Sequence, residues 1–324
     1  MTAPSSGLGK PVEGPADIAT DIATDIATDS APDSGPAAAS ARDVARVLLR
    51  RPLALGGLAV IILMVVLALF GTLIAPSGEN DVDVPQMLMR PSGAHWFGTD
   101  ELGRDEFSRV ILAAHASLEV SVVSVGIALV VGVLLGLLAG YYRGFADSII
   151  MRCMDVLFAF PVMLLAIAIV AVLGPGITNA MIAIAVVYMP IFARITRASV
   201  LSVREEVYVR AAVSIGVPDR AIIARHILPN VAGPIIVQTS LSLGFAILTE
   251  AALSFLGLGV QPPQPSWGQM LFDADGFIPQ AWWMAVFPGL AIVLTVLSFN
   301  LLGDALRDVL DPRRRTQLEA AHRP

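Results

Sequence analysis

The sequence predicts an all-α membrane protein with six transmembrane helices and both termini in the cytosol. Three observations predict it: composition, six apolar runs, and the placement of arginine. Apolar residues make up 56% of the 324 and charged residues only 15%, whereas a soluble domain is about half apolar and about a quarter charged. The mean hydropathy is +0.74. Apolar runs near 53–75, 115–140, 150–173, 177–196, 231–259 and 282–303 suit helices that cross a bilayer, which takes roughly 20 residues each.

Arginine sets the orientation. Arg42, Arg46, Arg50 and Arg51 precede the first run, which places that end in the cytosol. The first loop, 76–114, is net acidic. The second carries Arg143 and Arg152, and the third, "GPGITN", is uncharged. The fourth holds Arg197, Arg204, Arg210, Arg220 and Arg225. The fifth has Asp273 and Asp275 without a base, and the C-terminal tail contains "DPRRR". Arginine in alternate loops and at both ends agrees with six spans.

The chain divides into an acidic low-complexity tail over 1–40, a membrane domain over 41–313 and a short tail over 314–324. The first tail repeats "DIAT", and a helix there would align like charges four residues apart. It therefore reads as a disordered cytosolic segment. Its acids supply much of the net charge of −6, which says little about partners. Nothing points to nucleic acid.

Composition also excludes chemistry. One cysteine, Cys153, rules out an intrachain disulfide and a cysteine metal cluster. The only lysine is Lys10, inside the tail. A phosphate-binding loop needs Gly-Lys-Ser/Thr, so any ATP with its Mg is hydrolysed by a partner. No Gly-x-Ser-x-Gly and no His-Glu-x-x-His occurs, and Leu301 stands where an intramembrane aspartyl protease needs a second glycine beside Asp304. No catalytic constellation, resident cofactor or metal site is expected in this chain.

The fourth loop, about 205–229, is patterned. Val207, Ala211, Ala212 and Ile215 recur at helical spacing, and Gly216 follows as a left-handed cap. Pro218 and Asp219 suit the start of a second helix, with Ile222, Ile223 and Ile227 as its stripe. Pro229 is expected to close the element and open the next span. Helices this short need something to pack on. A cap on their own bundle and a docking knob for another protein both answer.

These residues carry a resemblance. "RAAVSIG" followed by "ILPN" resembles the cytosolic loop of ABC import permeases, matching at Ala211, Ala212, Gly216, Leu228 and Pro229. Arg210 stands where that pattern has Glu, and His226 where it has Ile. "HWFGTDELGRDEFSRVILAAHASLEV" (95–120), "MRCMDVLFAFP" (151–161), "LTEAALSFLGLGVQPPQPSWGQML" (248–271) and "FPGLAIVLTVLSFNLLGDALRDVLDPR" (287–313) are similar to the C-type permease of dipeptide, oligopeptide and nickel importers. The resemblance covers roughly 45–313. It implies a type I ABC importer permease fold in the plasma (inner) membrane. It also implies a homologous second permease, two ATPases, an extracytoplasmic substrate-binding protein and a peptide substrate, with nickel or glutathione as alternatives. The fourth loop would then be the coupling element, with Arg210 included.

Other residues remain open. Glu250 lies deep in the fifth run near Thr249 and Ser254. It is either an interior hydrogen-bonded group near the pathway or the proton site of a secondary transporter. Asp155 follows Arg152 by three residues, as a local ion pair or a gate element. Pro161 and Pro190 are expected to bend spans three and four. His115 and Glu119 share a helix face as a pair. In the fifth loop, Gln264 and Trp267 face either the receptor or the cavity mouth, with Trp267 alternatively a headgroup anchor.

Overall fold

The computed structural model describes residues 51–310. The acidic tail, the arginines before 51 and the C-terminal tail lie outside them. The described residues are helical throughout, apart from loops and one isolated bridge between Thr99 and Asp105. The helices are α1 (Pro52–Ile74), α2 (Glu106–Tyr142), α3 (Gly144–Phe158), α4 (Val162–Leu173), α5 (Ile177–Val203), α6 (Val207–Ser214), α7 (Asp219–Ile222), α8 (Leu228–Phe255), α9 (Trp267–Asp275) and α10 (Trp283–Leu310).

Five continuous helices are long and apolar enough to cross a membrane: α1, α2, α5, the run Asp219–Phe255, and α10. The sixth expected span is not one rod. Helices α3 and α4 meet at a bend of 93°. Pro161 stands at the start of α4 with extended backbone, because it can neither donate the helical hydrogen bond nor clear the preceding turn. Its effect is therefore a break rather than a kink. Helix α4 has 12 residues, about 18 Å at the α-helical rise, too short to cross alone.

Helix α2 is longer at its start than the apolar run. Asp105 caps it, its side chain accepting from Ser108 N at 2.9 Å. Nine residues before His115 thereby join the helix. Helix α8 stops at Phe255, short of the expected 259, because Gly257 takes φ +74° and turns the chain. Pro190 lies within α5, which continues as helix on both sides of it.

Helices α2 and α5 pack most closely. Gly132, Gly136 and Gly140 fall every fourth residue on α2, and a Cβ built on them would meet Met189 O at 2.6 Å, Ala193 O at 2.5 Å and Val200 Cβ at 2.8 Å. Small residues at this spacing let two helix backbones touch. Helix α1 is apolar all round and buries little beyond Ala54, Gly57, Met64 and Gly71. Gly57 lies against Ser298 of α10, and Gly71 against Ile111 of α2. Its other faces suit lipid: Leu53 is 72% exposed and Leu73 is 82%.

Helix α3 is tied to α5 by charge. Arg197 holds Asp147 with two hydrogen bonds, and Arg194 holds Asp155 at 2.7 Å. The Arg194 guanidinium also lies 4.1 Å from the centre of the Phe158 ring. The partner of Asp155 is thus Arg194, 39 residues on, and not the neighbouring Arg152. Long-range packing, rather than helical spacing, decides the pair.

Candidate functional site

The loop between α5 and α8 forms the expected hairpin. Gly216 takes φ +78°, a backbone that side chains resist and glycine accepts. Pro218 precedes α7 with extended backbone, and Asp219 accepts a 2.7 Å hydrogen bond from Tyr141 Oη. Arg204 Nη1 donates to the Tyr141 carbonyl at 2.6 Å. Both bonds hold the hairpin to the end of α2.

The apolar pattern divides into two faces. Val209, Ala212, Ile222 and Ile227 are buried and pack with Leu137, Tyr141, Val200, Val231 and Ile235. Val207, Ala211, Val213 and Ile215 are exposed, Ile215 by 80%. Val207, Ala211 and Ile215 stand four apart and share an outward row, whereas Ala212 pairs with Val209 inward. The single stripe expected over Val207, Ala211, Ala212 and Ile215 is corrected accordingly. Arg210, Gly216, Leu228 and Pro229 are exposed as well.

Pro229 does not close the element. Helix α7 passes through a π turn, Ile223–Ile227, into α8, giving one helical run of 37 residues, Asp219–Phe255. Pro229 has no N–H for the carbonyl four residues before it, and its ring would crowd that carbonyl. The turn widens instead, and Leu228 N–H reaches back five residues to Ile223 O. Asn230 Nδ2 donates to the His226 carbonyl at 2.6 Å. The "ILPN" segment is therefore a self-satisfied joint. Asn230→Ala leaves one carbonyl without its partner, which costs about 1 kcal/mol, read as roughly fivefold faster amide exchange over 223–230. An exchange pattern identical to the parent would count against the joint.

At the other end of the bundle lies a charged lock built from "FGTDELGRDEFSR". Asp100 accepts from the Leu102 and Arg104 amides, both at 2.9 Å, and pairs with Arg104 Nε at 2.5 Å. Arg109 lies 3.5 Å from Asp100 and 3.6 Å from Asp273 of α9, and donates to Glu79 O at 3.1 Å. Trp283 Nε1 donates to Thr99 O at 3.0 Å. Gly103 sits so close that a Cβ would lie 1.9 Å from Asp83 O. Asp100, Glu101, Asp105, Glu106 and Asp273 outnumber Arg104, Arg109 and His95 around this lock. Burial raises the Asp273 carboxyl above the ordinary carboxylate range, and burial with Asp100 does the same for Glu101. Arg109 is 3% exposed and joins three segments. Arg109→Leu leaves Asp100 with Arg104 and Asp273 with Gln269 Nε2 at 2.9 Å, and a loss of about 2–3 kcal/mol is expected in thermal unfolding of the purified chain.

The fifth-loop residues are placed differently from expectation. Trp267 is 1% exposed, and its Nε1 donates to Val110 O at 3.0 Å. An enclosed ring reaches neither a receptor nor the headgroups, so its expected role as an exposed anchor is corrected. The polar N–H found its partner inside the protein. Gln264 is half-buried beside Thr72, Glu79 and His115, lining a cavity of about 250 Å³. His115 lies 3.7 Å from Glu119, and among the described residues no group of three candidate ligands could hold a metal.

Glu250 and Ser254 are both 0% exposed, with Ser254 Oγ donating to Glu250 Oε1 at 2.8 Å. Neither presents a surface to a pathway. Thr249, expected to help Glu250, instead meets Tyr188 Oη at 3.0 Å. Asp155 and Pro161 remain exposed beside the bend between α3 and α4. The site features that sequence reasoning missed are the Arg194 and Arg197 pairs, Asn230, and the Gly132–Gly136–Gly140 row. Only the last had a legible signal, its spacing of four in an apolar run.

Helices long and apolar enough to span, a hairpin with one buried and one exposed face, and a latched loop at the opposite end together form a multi-pass membrane domain. Residues 132–316 match the family described as binding-protein-dependent transport system inner membrane component, and 41–91 match the N-terminal transmembrane domain of oligopeptide transport permease C. The chain belongs to the binding-protein-dependent transport permease family, a multi-pass inner membrane component. It is 48% identical to the dipeptide transport system permease protein DppC of Alkalihalophilus pseudofirmus, over 85% of this chain and 90% of that one. Identity is 51% to the glutathione transport system permease protein GsiD of Escherichia coli, covering 82% and 88% of the two chains. It is 45% to the probable D,D-dipeptide transport system permease protein DdpC of Escherichia coli, covering 81% and 88%. A chain of the inward-facing MetNI methionine ABC transporter structure shares the fold at TM-score 0.54 and 16% identity, over 63% of this chain and 97% of that one.

Proposed function

We propose that this chain is the C-type permease subunit of an ATP-driven importer of small peptides, forming half of the translocation pathway. The observation that carries the reading is the two-faced hairpin. One face is buried in its own bundle, and the other leaves Val207, Ala211, Val213 and Ile215 uncovered at the arginine-rich end. That end is cytosolic in this reading, and the lock of 95–109 faces outward. Relatives named for dipeptide and D,D-dipeptide transport support the peptide class. A relative named for glutathione, itself a peptide, keeps that substrate in the comparison.

The partners are a homologous permease, two ATPase subunits that bind ATP and Mg, and an external binding protein. The exposed hairpin face, with Arg210 beside it, seats in an ATPase subunit. Closure of the ATPases on ATP pushes the hairpin, and the two permeases turn the cavity outward. This chain supplies no catalytic group.

The test is reconstitution of the chain with its partner permease and ATPases in liposomes. ATP-dependent uptake of a labelled dipeptide or of glutathione, stimulated by the binding protein, is expected. Uptake driven by a proton gradient without ATP would instead assign the chain to secondary transport. Deletion of residues 2–38 is expected to leave assembly and uptake intact, and a large loss of either would make the acidic tail a docking element.

A further inference from the structure

The segment after α8 folds back on the bundle. Gly257 turns the chain, and residues up to α9 return along α8 and α2. The approach is tight: a Cβ on Gly259 would lie 2.1 Å from Ser254 Oγ, and one on Gly268 would lie 2.4 Å from Ala251 O. Two serine hydroxyls receive this segment, and a third, Ser266, caps the helix within it. Ser254 Oγ accepts from Val260 N at 3.1 Å, Ser117 Oγ from Trp267 N at 3.2 Å, and Ser266 Oγ from Gln269 N at 3.2 Å.

A hydroxyl has one proton to give and two lone pairs to receive. Each of these oxygens already receives a backbone N–H, so each proton is free for another acceptor. All three serines are buried. Ser254 gives its proton to Glu250 Oε1 at 2.8 Å. Ser266 and Ser117 act on the same carboxyl, whose Oε2 makes no hydrogen bond of ordinary geometry. One side chain therefore faces hydroxyls from α2, from α8 and from the start of α9.

We propose that Glu250 is a positioning residue, the clasp that fastens the return segment 257–276 to α2 and α8. It touches no substrate. Its work is to keep the return segment moving with α8, the helix whose other end carries the hairpin. The functional part of this inference rests on the importer reading, and the clasp itself does not.

The experiment uses the assembled complex with Cys153→Ser and Val260→Cys. Val260 is 1% exposed in an apolar cluster, so a membrane-impermeant maleimide labels that cysteine slowly while the segment stays down. Glu250→Ala is expected to speed labelling by about tenfold, with Ser254→Ala and Glu250→Gln between it and the parent. The ATP hydrolysed per substrate imported should rise in the same order. Parental labelling in an assembled Glu250→Ala complex overturns the proposal. Where that variant fails to assemble, parental labelling in Ser254→Ala overturns it. Loss of uptake in Glu250→Gln with labelling unchanged throughout also overturns it, assigning the carboxyl to proton transfer. Should the parent complex show no substrate-stimulated ATP hydrolysis, the importer reading fails, and the labelling rates still judge the clasp.

Discussion

Gly136→Val is expected to part α2 from α5 and to lower the melting temperature of the membrane domain. A Cβ at 136 meets the Ala193 carbonyl at 2.5 Å and Thr196 Cβ at 2.7 Å. The first contact is backbone, so no rotamer change relieves it, and α2 must separate from α5. Overfilling a packed site costs about 1–3 kcal/mol, and more when backbone has to move. The separation also strains the ties between α3 and α5, because Arg194 and Arg197 ride on the displaced helix. Fluorescence-detected size exclusion and a thermal melt in detergent provide the measurement. Gly126→Val is the control, since a Cβ there has nothing within 4 Å. If the two variants melt together, close α2–α5 packing is not what holds the domain.

Gly216→Val is expected to spare the fold and abolish coupling. Nothing lies within 4 Å of a Cβ at 216, so the cost comes from φ +78° alone, about 1–2 kcal/mol for a side chain in the left-handed region. That is enough to reset a hairpin whose α6 has only 8 residues. The order Gly, Asn, Ala, Val should describe declining uptake and declining retention of ATPase subunits on the purified complex, because Asn tolerates this backbone better than Ala. Normal uptake by the valine variant, with the substitution verified, would remove the hairpin from the transport cycle.

Much of this could be read from local pattern. The long spans follow from apolar runs, the hairpin from Gly216 and Pro218, and the family from ordered blocks. What escaped depends on residues far apart in the chain. The 93° break at Pro161 is held by α3–α5 pairs that reach across 50 residues (Asp147 to Arg197) and 39 residues (Asp155 to Arg194). A proline predicts a disturbed helix, but its angle depends on what the two halves find to bind. Trp267 looked exposed because it follows a polar, proline-rich loop. Its amide and its ring find partners on α2 about 150 residues earlier, at Ser117 and Val110. The Val207–Ile215 stripe was real in spacing, yet spacing alone could not say which half faced inward.

The helical run Asp219–Phe255 has a mechanical consequence. Its 37 residues make a rod of about 55 Å at 1.5 Å per residue. A tilt of about 5° around one end displaces the other by roughly 5 Å, close to a full helical pitch. The π turn and Asn230 sit near one tip, so they divide the rod into a short arm and a long one. Were the rod to pivot at the π turn, a small stroke on the short arm would become a larger excursion at the far tip.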